Sequence, residues 1–256
     1  MEGIIIVDDP RYYHTKQYLQ SKGYIIHDPE TTPANLNFVV FPFMDEIDKA
    51  IYDDGFFADL KNGALVFSGV RNDYLTKKCT EHKLEYCVIM EDRGIALKNA
   101  VPTSEGVIAY LIANRTDTVA NSRILVIGYG VCGRDLSKRL KMLGAHVYAL
   151  VRNREKECAA YADSITPVYP DDLYITKYDV IINTVPGRVL TNETLERTKG
   201  ALLIDIASKP YGFDMELAKK FNNNSALLRG IPGKYAVRTA GEVLGEYIHR
   251  VLSERG

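Results

Sequence analysis

No stretch of the 256-residue sequence reaches the about 20 consecutive apolar residues of a membrane-spanning helix. It also lacks an excess of charge. Its 32 Lys and Arg against 33 Asp and Glu leave a net charge of −1, so no broad pull toward nucleic acid is expected. Cys79, Cys87, Cys132 and Cys158 form no C-x-x-C and have no His at metal-ligand spacing. They read as free thiols of a reducing compartment, and no metal is expected. No basic segment or cleavage pattern precedes Ile4 to Val7, so the chain is expected to be cytoplasmic. No internal repeat or low-complexity segment occurs. What remains is 46% hydrophobic and 25% charged, as in ordinary globular proteins, with length for one large or two modest domains.

The most informative stretch is Arg123-Ile-Leu-Val-Ile-Gly-Tyr-Gly-Val-Cys-Gly133. Ile124 to Ile127 read as a buried strand. Gly128, Gly130 and Gly133 give G-x-G-x-x-G, and Leu136, Leu140 and Leu143 continue at helical spacing. In a strand–turn–helix context the first glycine permits the tight turn and the second lets a pyrophosphate approach the backbone. The third allows helix and strand to pack closely, with the helix N-terminus facing phosphate. Gly128, Tyr129, Gly130, Val131, Cys132 and Gly133 are therefore expected at a dinucleotide. A second strand, His146 to Val151, runs into Arg152-Asn153-Arg154. An NAD site usually carries Asp or Glu there, on the ribose hydroxyls. Two guanidiniums and no carboxylate suit the 2′-phosphate of NADP instead, so NADP is expected over NAD.

Before the glycine motif, strands are expected at Ile4 to Val7, Tyr24 to His27, Phe38 to Phe41, Ala64 to Phe67 and Leu84 to Ile89. A helix opens at Asp8-Asp9-Pro10, Pro42 closes the third strand, and residues 45–61 hold some helix. Strands alternating with helices imply a parallel sheet. After the motif come strands at Tyr178 to Val185, Ala201 to Ala207 and Ala226 to Leu228. Helices lie at Leu190 to Thr198 and Phe213 to Phe221, the latter stopped by Asn222 to Asn224. Arg229 to Lys234 reads as a loop. A final helix, Ala236 to Leu252, has Ala240, Val243, Leu244, Tyr247, Ile248, Val251 and Leu252 as its apolar face. The fold class expected is α/β with two domains: an N-terminal flavodoxin-like parallel domain over 1–102 for substrate or partner, and a Rossmann doubly wound domain over 103–235. Residues 103–115 form a crossover helix with Thr103 as its cap, and 236–256 a C-terminal helix that could pack back across the domains.

Ligands of parallel sheets lie beyond the carboxyl ends of strands. This makes Ser68 to Asn72 a candidate substrate loop, and puts Thr184, Val185, Pro186, Ala207 and Ser208 beside the cofactor. Lys209 and Lys234 are cations near the expected nicotinamide, with Arg238 a weaker candidate. Thr103 and Glu105 lie at the start of the crossover.

Several stretches taken together resemble one family: Ser68 to Asn72, Val101 to Gly106, Asn183 to Gly187, Ile204 to Pro210 and Ile231 to Gly241. In this order around a Rossmann unit they are similar to the A subunits of dipicolinate synthase, most densely from Pro102 onward. The resemblance implies NADP-dependent dehydrogenation of dihydrodipicolinate to dipicolinate in a spore former. It also implies a flavoprotein-like B subunit as partner. With a small dicarboxylate substrate and further copies of the chain, that completes the expected partners, which include no nucleic acid and no membrane. Arg71, Asn72, Lys209 and Lys234 become the candidates for holding the two carboxylates, and Thr103 and Glu105 at the crossover complete the expected pocket. The same domain pattern also describes the 2-hydroxyacid dehydrogenases, whose last loop carries a catalytic His. Residues 229–234 here hold none, which counts against that reading because carbonyl reduction needs a proton donor. A third reading is a regulatory subunit that binds NADP without chemistry.

Overall fold

The structure, a computed structural model, describes residues 1–6, 9–31, 33–41, 43, 47–174, 176–221 and 224–255. It divides into two compact units, residues 1–99 with 236–256, and residues 100–235. The expected features at Val7, Asp8, Pro42, Asp45, Glu46, Asn222 and Asn223 lie outside the described residues.

The second unit is built on six parallel strands. They are β6 (Arg123–Ile127), β7 (His146–Leu150), β8 (Thr166–Val168), β9 (Val180–Asn183), β10 (Leu202–Asp205) and β11 (Asn224–Leu227). Their spatial order is β11-β10-β9-β6-β7-β8. That is the doubly wound dinucleotide-binding order, with its reversal between β6 and β9. The central strands read as unbroken apolar runs because helices cover both faces. Ile124, Leu125, Val126 and Ile127 are at most 1% exposed, each worth about 1.5–3 kcal/mol of burial. β8 escaped the sequence reading. It is three residues long and carries Pro167, tolerated because β8 is the edge strand, paired only with β7.

The first unit has five parallel strands: β1 (Glu2–Ile5), β2 (Ile25–His27), β3 (Phe38–Val40), β4 (Leu65–Ser68) and β5 (Glu85–Val88). Their order is β2-β1-β3-β4-β5, the flavodoxin-like winding the sequence predicts. Helix α1 (Arg11–Ser21) lies against α10 (Val237–Ser253), which returns from the far end of the chain. Their contact is backbone-close. A Cβ at Gly241 would stand 2.3 Å from the Arg11 carbonyl oxygen, and Thr15 Oγ1 donates to the Gly241 carbonyl at 3.0 Å. The predicted apolar face of α10 is the buried one, with Leu244, Ile248 and Leu252 at 2% exposure or less.

The remaining helices are α2 (Asp54–Ala58), α3 (Asp73–Glu81), α4 (Arg93–Ala113), α5 (Val131–Met142), α6 (Arg154–Ala162), α7 (Asn192–Arg197), α8 (Met215–Lys220) and α9 (Ile231–Tyr235). Two expectations are corrected. The crossover helix does not start at Thr103: α4 begins at Arg93 and continues through Pro102, so Thr103 sits inside it rather than at its N-cap. Proline leaves the Lys98 carbonyl without its helical donor. Burial of Pro102, Ser104, Val107 and Leu111 outweighs that loss. Likewise Arg229 to Lys234 is not all loop, because α9 occupies its second half. No helix among the described residues is long and apolar enough to cross a membrane.

Candidate functional site

In the second unit Ile127 pairs with both Leu150 and Asn183, and Asn183 with Asp205. The carboxyl ends of β6, β7, β9 and β10 therefore stop at one level, and the four following turns converge there. Gly128 leaves β6 with φ +93°, a conformation that favours glycine. A Cβ at Gly133 would lie 2.2 Å from the Gly128 carbonyl oxygen and 3.0 Å from Thr184 Oγ1, so the third glycine sets the helix–strand approach. At Gly130 nothing lies within 4 Å of where a Cβ would be. That is open space above the turn, where a pyrophosphate would meet bare backbone. Gly130 is the N-cap of α5 and supplies no side-chain hydrogen bond, and the first turn of α5 has no acidic residue. The donors of the first turn and the positive end of the helix dipole are left for an anion. Side-chain caps close α3, α6, α7 and α8.

A cleft of about 520 Å³ opens over this turn. The glycine turn, Val151 to Asn153, Tyr174 and Val185 line it, together with Lys156, Arg188 and Thr191. Arg152 is exposed and has no ion pair among the described residues. Asn153 caps α6 by accepting from the Lys156 N–H at 3.0 Å. Arg154 does not line the cleft. Its guanidinium donates to Glu157 at 2.9 Å, and that contact pushes its pKa up. Sequence proximity thus selected one cation of the cleft, Arg152, while two more, Lys156 and Arg188, went unnoticed. Lys156 lies two residues along α6 from Arg154, a separation of about 200° on a helix. A helical projection of 152–157 could have found it.

Tyr129 contributes backbone rather than its ring. It is 4% exposed, and its hydroxyl donates to Asp163 at 2.9 Å. Burial, then that carboxylate, pushes its pKa far up. Cys132 is half-buried, and burial raises its thiol pKa. Val131 is half-buried in the first turn of α5. Thr184 turns its hydroxyl back to the Ile127 carbonyl at 2.8 Å. It ties β9 to β6 beneath the glycine turn. Pro186 is exposed in the turn after β9, Ala207 is half-buried, and Ser208 and Lys209 are exposed in the turn after β10.

The turns after β9 and β10 are laced together. The Asp205 carboxylate, 1% exposed, accepts from the Ala207 N–H at 2.9 Å, the Gly212 N–H at 2.6 Å and Asn183 Nδ2 at 3.1 Å. The Gly187 N–H donates to the Pro210 carbonyl at 2.7 Å, and the N–H groups of Val189 and Leu190 to that of Gly212 at 2.9 Å.

Of the other candidates, Lys234 is exposed on α9. Thr103 is 8% exposed inside α4, and Glu105 is held by Arg139 of α5 at 3.3 Å. In the first unit, Ser68 donates to the Val70 carbonyl at 2.7 Å and lies 2.7 Å from the Tyr86 hydroxyl. Asn72 caps α3. Arg71 grips Glu91 with two bonds of 2.8 and 2.7 Å, which lowers the Glu91 pKa. Arg238 pairs with Glu242 on the same helix. Asp54, Glu81 and His82 have ligand atoms within 4.8 Å of one another, but the Lys78 ammonium, 2.5 Å from Asp54, already serves that cluster.

Residues 104–207 match the model of the NAD-binding domain of D-isomer specific 2-hydroxyacid dehydrogenases, which supports a nicotinamide cofactor here. Over 193 residues the chain is 31% identical to the A subunit of dipicolinate synthase of Bacillus subtilis (strain 168), a match that covers 74% of this chain and 65% of that protein. The fold is similar to that of the A subunit of dipicolinate synthase from Bacillus halodurans, with a TM-score of 0.91 and 24% identity over 98% of this chain and 97% of the other. The D-lactate dehydrogenase of Escherichia coli gives a TM-score of 0.69 at 14% identity, covering all of this chain and 98% of that one.

Proposed function

We propose that this chain, which resembles the A subunit of dipicolinate synthase in sequence and fold, is an NADP-dependent dehydrogenase that converts dihydrodipicolinate to dipicolinate. The 31% identity to that protein carries the reading. The cleft agrees with it. Gly130 leaves room for a pyrophosphate, and Arg152, Lys156 and Arg188 line the cleft. Lys156 pairs with Glu155 and Arg188 with Asp214, while Arg152 has no ion pair among the described residues. None of the described residues lining the cleft is a carboxylate of the kind NAD sites use. Three cations at one rim suit a phosphomonoester better than a pair of hydroxyls.

With the dinucleotide bound over the glycine turn, its nicotinamide would supply the hydride acceptor. The residues of this chain are left with orientation. The proposed substrate loses one hydride and one proton and becomes an aromatic pyridine, and water takes the proton. A general base is therefore not required, in keeping with turns that carry no His. Lys209 and Lys234 are the proposed carboxylate contacts of the second unit. In the first unit Arg71 and Asn72 keep the role proposed from the sequence, a hold on carboxylate, with Arg71 exchanging Glu91 for it. Thr103 is proposed only as a support beneath such a pocket, and Glu105 only through its hold on Arg139. A flavoprotein-like B subunit and self-association complete the reading, in a spore-forming cell.

The test is turnover. The purified chain, alone and with a B subunit, is given NADP or NAD and freshly made dihydrodipicolinate, with simple 2-hydroxy acids in parallel. Formation of NADPH with dihydrodipicolinate is the expected result. Reduction of NADP with a 2-hydroxy acid alone would replace the substrate assignment, and cofactor binding without turnover under every condition would favour a regulatory role.

A further inference from the structure

Between β10 and α8 lie residues 206–214, and the first seven of them, 206–212, form a turn whose candidate functional groups, Ser208 and Lys209, are both exposed. Long side chains on a free turn sample many positions. This turn is not free. At its first residue the chain has just left Asp205, whose side chain is buried with no cation beside it among the described residues. A carboxylate in such a place is costly unless donors surround it. Its donors come from the start of the turn (Ala207), from its end (Gly212) and from the neighbouring strand (Asn183). Asn183, 0% exposed, spends its other contacts on Val185, donating to that carbonyl at 2.9 Å and accepting from that N–H at 3.3 Å. Gly212 fits because it has no side chain: a Cβ there would stand 2.4 Å from Asn183 Nδ2.

From this arrangement we infer that Asp205 is a positioning residue: it pins both ends of the 206–212 turn, and through it fixes where Ser208 and Lys209 stand relative to the cofactor turn at Thr184 to Gly187. The inference rests on the proposed role of Lys209 but makes a separate claim about how that lysine is aimed. Asp205→Asn is the informative change. Both carboxylate oxygens accept from N–H donors, so an amide nitrogen at either place sets donor against donor and the turn must move. The glycine turn and Arg152, which hold the other end of the cofactor, have no bond to Asp205.

The experiment is a double-mutant cycle with Lys209→Met, read by kcat and KM and by direct cofactor titration. Asp205→Asn is expected to lower kcat/KM by about 10- to 100-fold, the usual consequence of displacing a reacting group by about an ångström. Cofactor Kd should stay within about 3-fold of wild type, and the double variant should lose no more than Lys209→Met alone, as contacting residues couple. Gly212→Ala, which disturbs the same turn while keeping the carboxylate, should reproduce the loss. Multiplying losses in the double variant, or wild-type kcat/KM in Asp205→Asn, would overturn the inference. Hydrogen exchange of the Ala207 and Gly212 amides and acylation of the Lys209 amine need no turnover. Faster exchange and altered labelling in Asp205→Asn support the anchor even if dihydrodipicolinate is the wrong substrate. Unchanged exchange and labelling overturn it.

Discussion

The hydroxyl of Tyr129 donates to the carboxylate of Asp163 across 2.9 Å, joining the glycine turn to the end of α6. Asp163 also accepts from Arg134 of α5 at 2.6 and 3.1 Å. One carboxylate thus ties the turn that would carry pyrophosphate to the helix whose first residues would hold the ribose end. Tyr129→Phe leaves Asp163 its arginine, so a loss of about 0.5–1.5 kcal/mol in unfolding free energy is expected, measured in urea. The pH dependence follows from the two directions. Arg134 foremost holds the Asp163 pKa below the ordinary carboxylate range, so its contribution is present above that range and lost as pH falls through the lowered value. Burial first, then Asp163, raises the Tyr129 pKa. Its contribution is whole below an ordinary tyrosine's about 10 and disappears at more alkaline pH. Tyr129→Phe should flatten the alkaline limb of the stability curve and hardly alter the acid one. An unchanged alkaline limb would refute this assignment.

Cofactor choice separates the three cations of residues 152–156. Replacing Arg152 by Asp should weaken NADP binding by roughly 10- to 100-fold, the scale of a charged contact, and raise the preference for NAD. Lys156→Ala should cost less, in the same direction. Arg154→Ala should leave NADP affinity nearly unchanged, because that guanidinium serves Glu157. Calorimetric titration of each variant with both dinucleotides gives the answer, and equal wild-type affinities would remove the basis for NADP.

The glycines should separate binding from stability. Gly133→Ala forces a Cβ to 2.2 Å from the Gly128 carbonyl oxygen, an overpacking expected to cost about 1–3 kcal/mol along with the cofactor site. Gly130→Val meets open space at its Cβ. It should change unfolding free energy by no more than about 0.5 kcal/mol, as surface changes do, while blocking the pyrophosphate. Denaturant curves and titrations on the same samples test both halves. Normal cofactor affinity in Gly130→Val would mean that the dinucleotide does not pass over this turn.

Histidine should be dispensable. His146 is the only histidine of residues 100–235, and it begins β7, at the end of the sheet opposite the cleft. His27, His82 and His249 are held by Glu2, Asp54 and Tyr24. Each single replacement is expected to keep kcat within about a few-fold, whereas a lost general base typically costs 10²–10⁴-fold. Lys209→Met and Arg71→Met should raise KM sharply and lower kcat as well. A histidine variant that binds cofactor and keeps its fold yet no longer turns over would end the base-free mechanism.

Both sheets and the dinucleotide turn were legible because their signals are local: apolar runs of strand length, and three glycines between a strand and a helix. Other features were less so because they depend on tertiary context. Pro102 argues for a helix start, and only burial along α4 keeps the helix going through it. Pro167 argues against a strand, and only an edge position makes it one. In Leu202-Leu-Ile-Asp-Ile206 the aspartate of an otherwise apolar run was itself a sign that donors surround it, but which donors emerged only with β9 and the 206–212 turn in place.

The pairing of α1 with α10 has a consequence for biosynthesis. The partner of α1 is made only after the whole 100–235 unit, which lies between them in the chain. At about 5–20 residues per second those 136 residues take roughly 7–27 s. During that interval the nucleotide-binding unit can fold on the ribosome, while the faces of Tyr12 and Leu19, which end at 0% exposure against the α10 cluster, wait uncovered. The unit that 1–99 begins is thus completed only after the 100–235 unit has been made, which leaves chaperones a window in which to hold it.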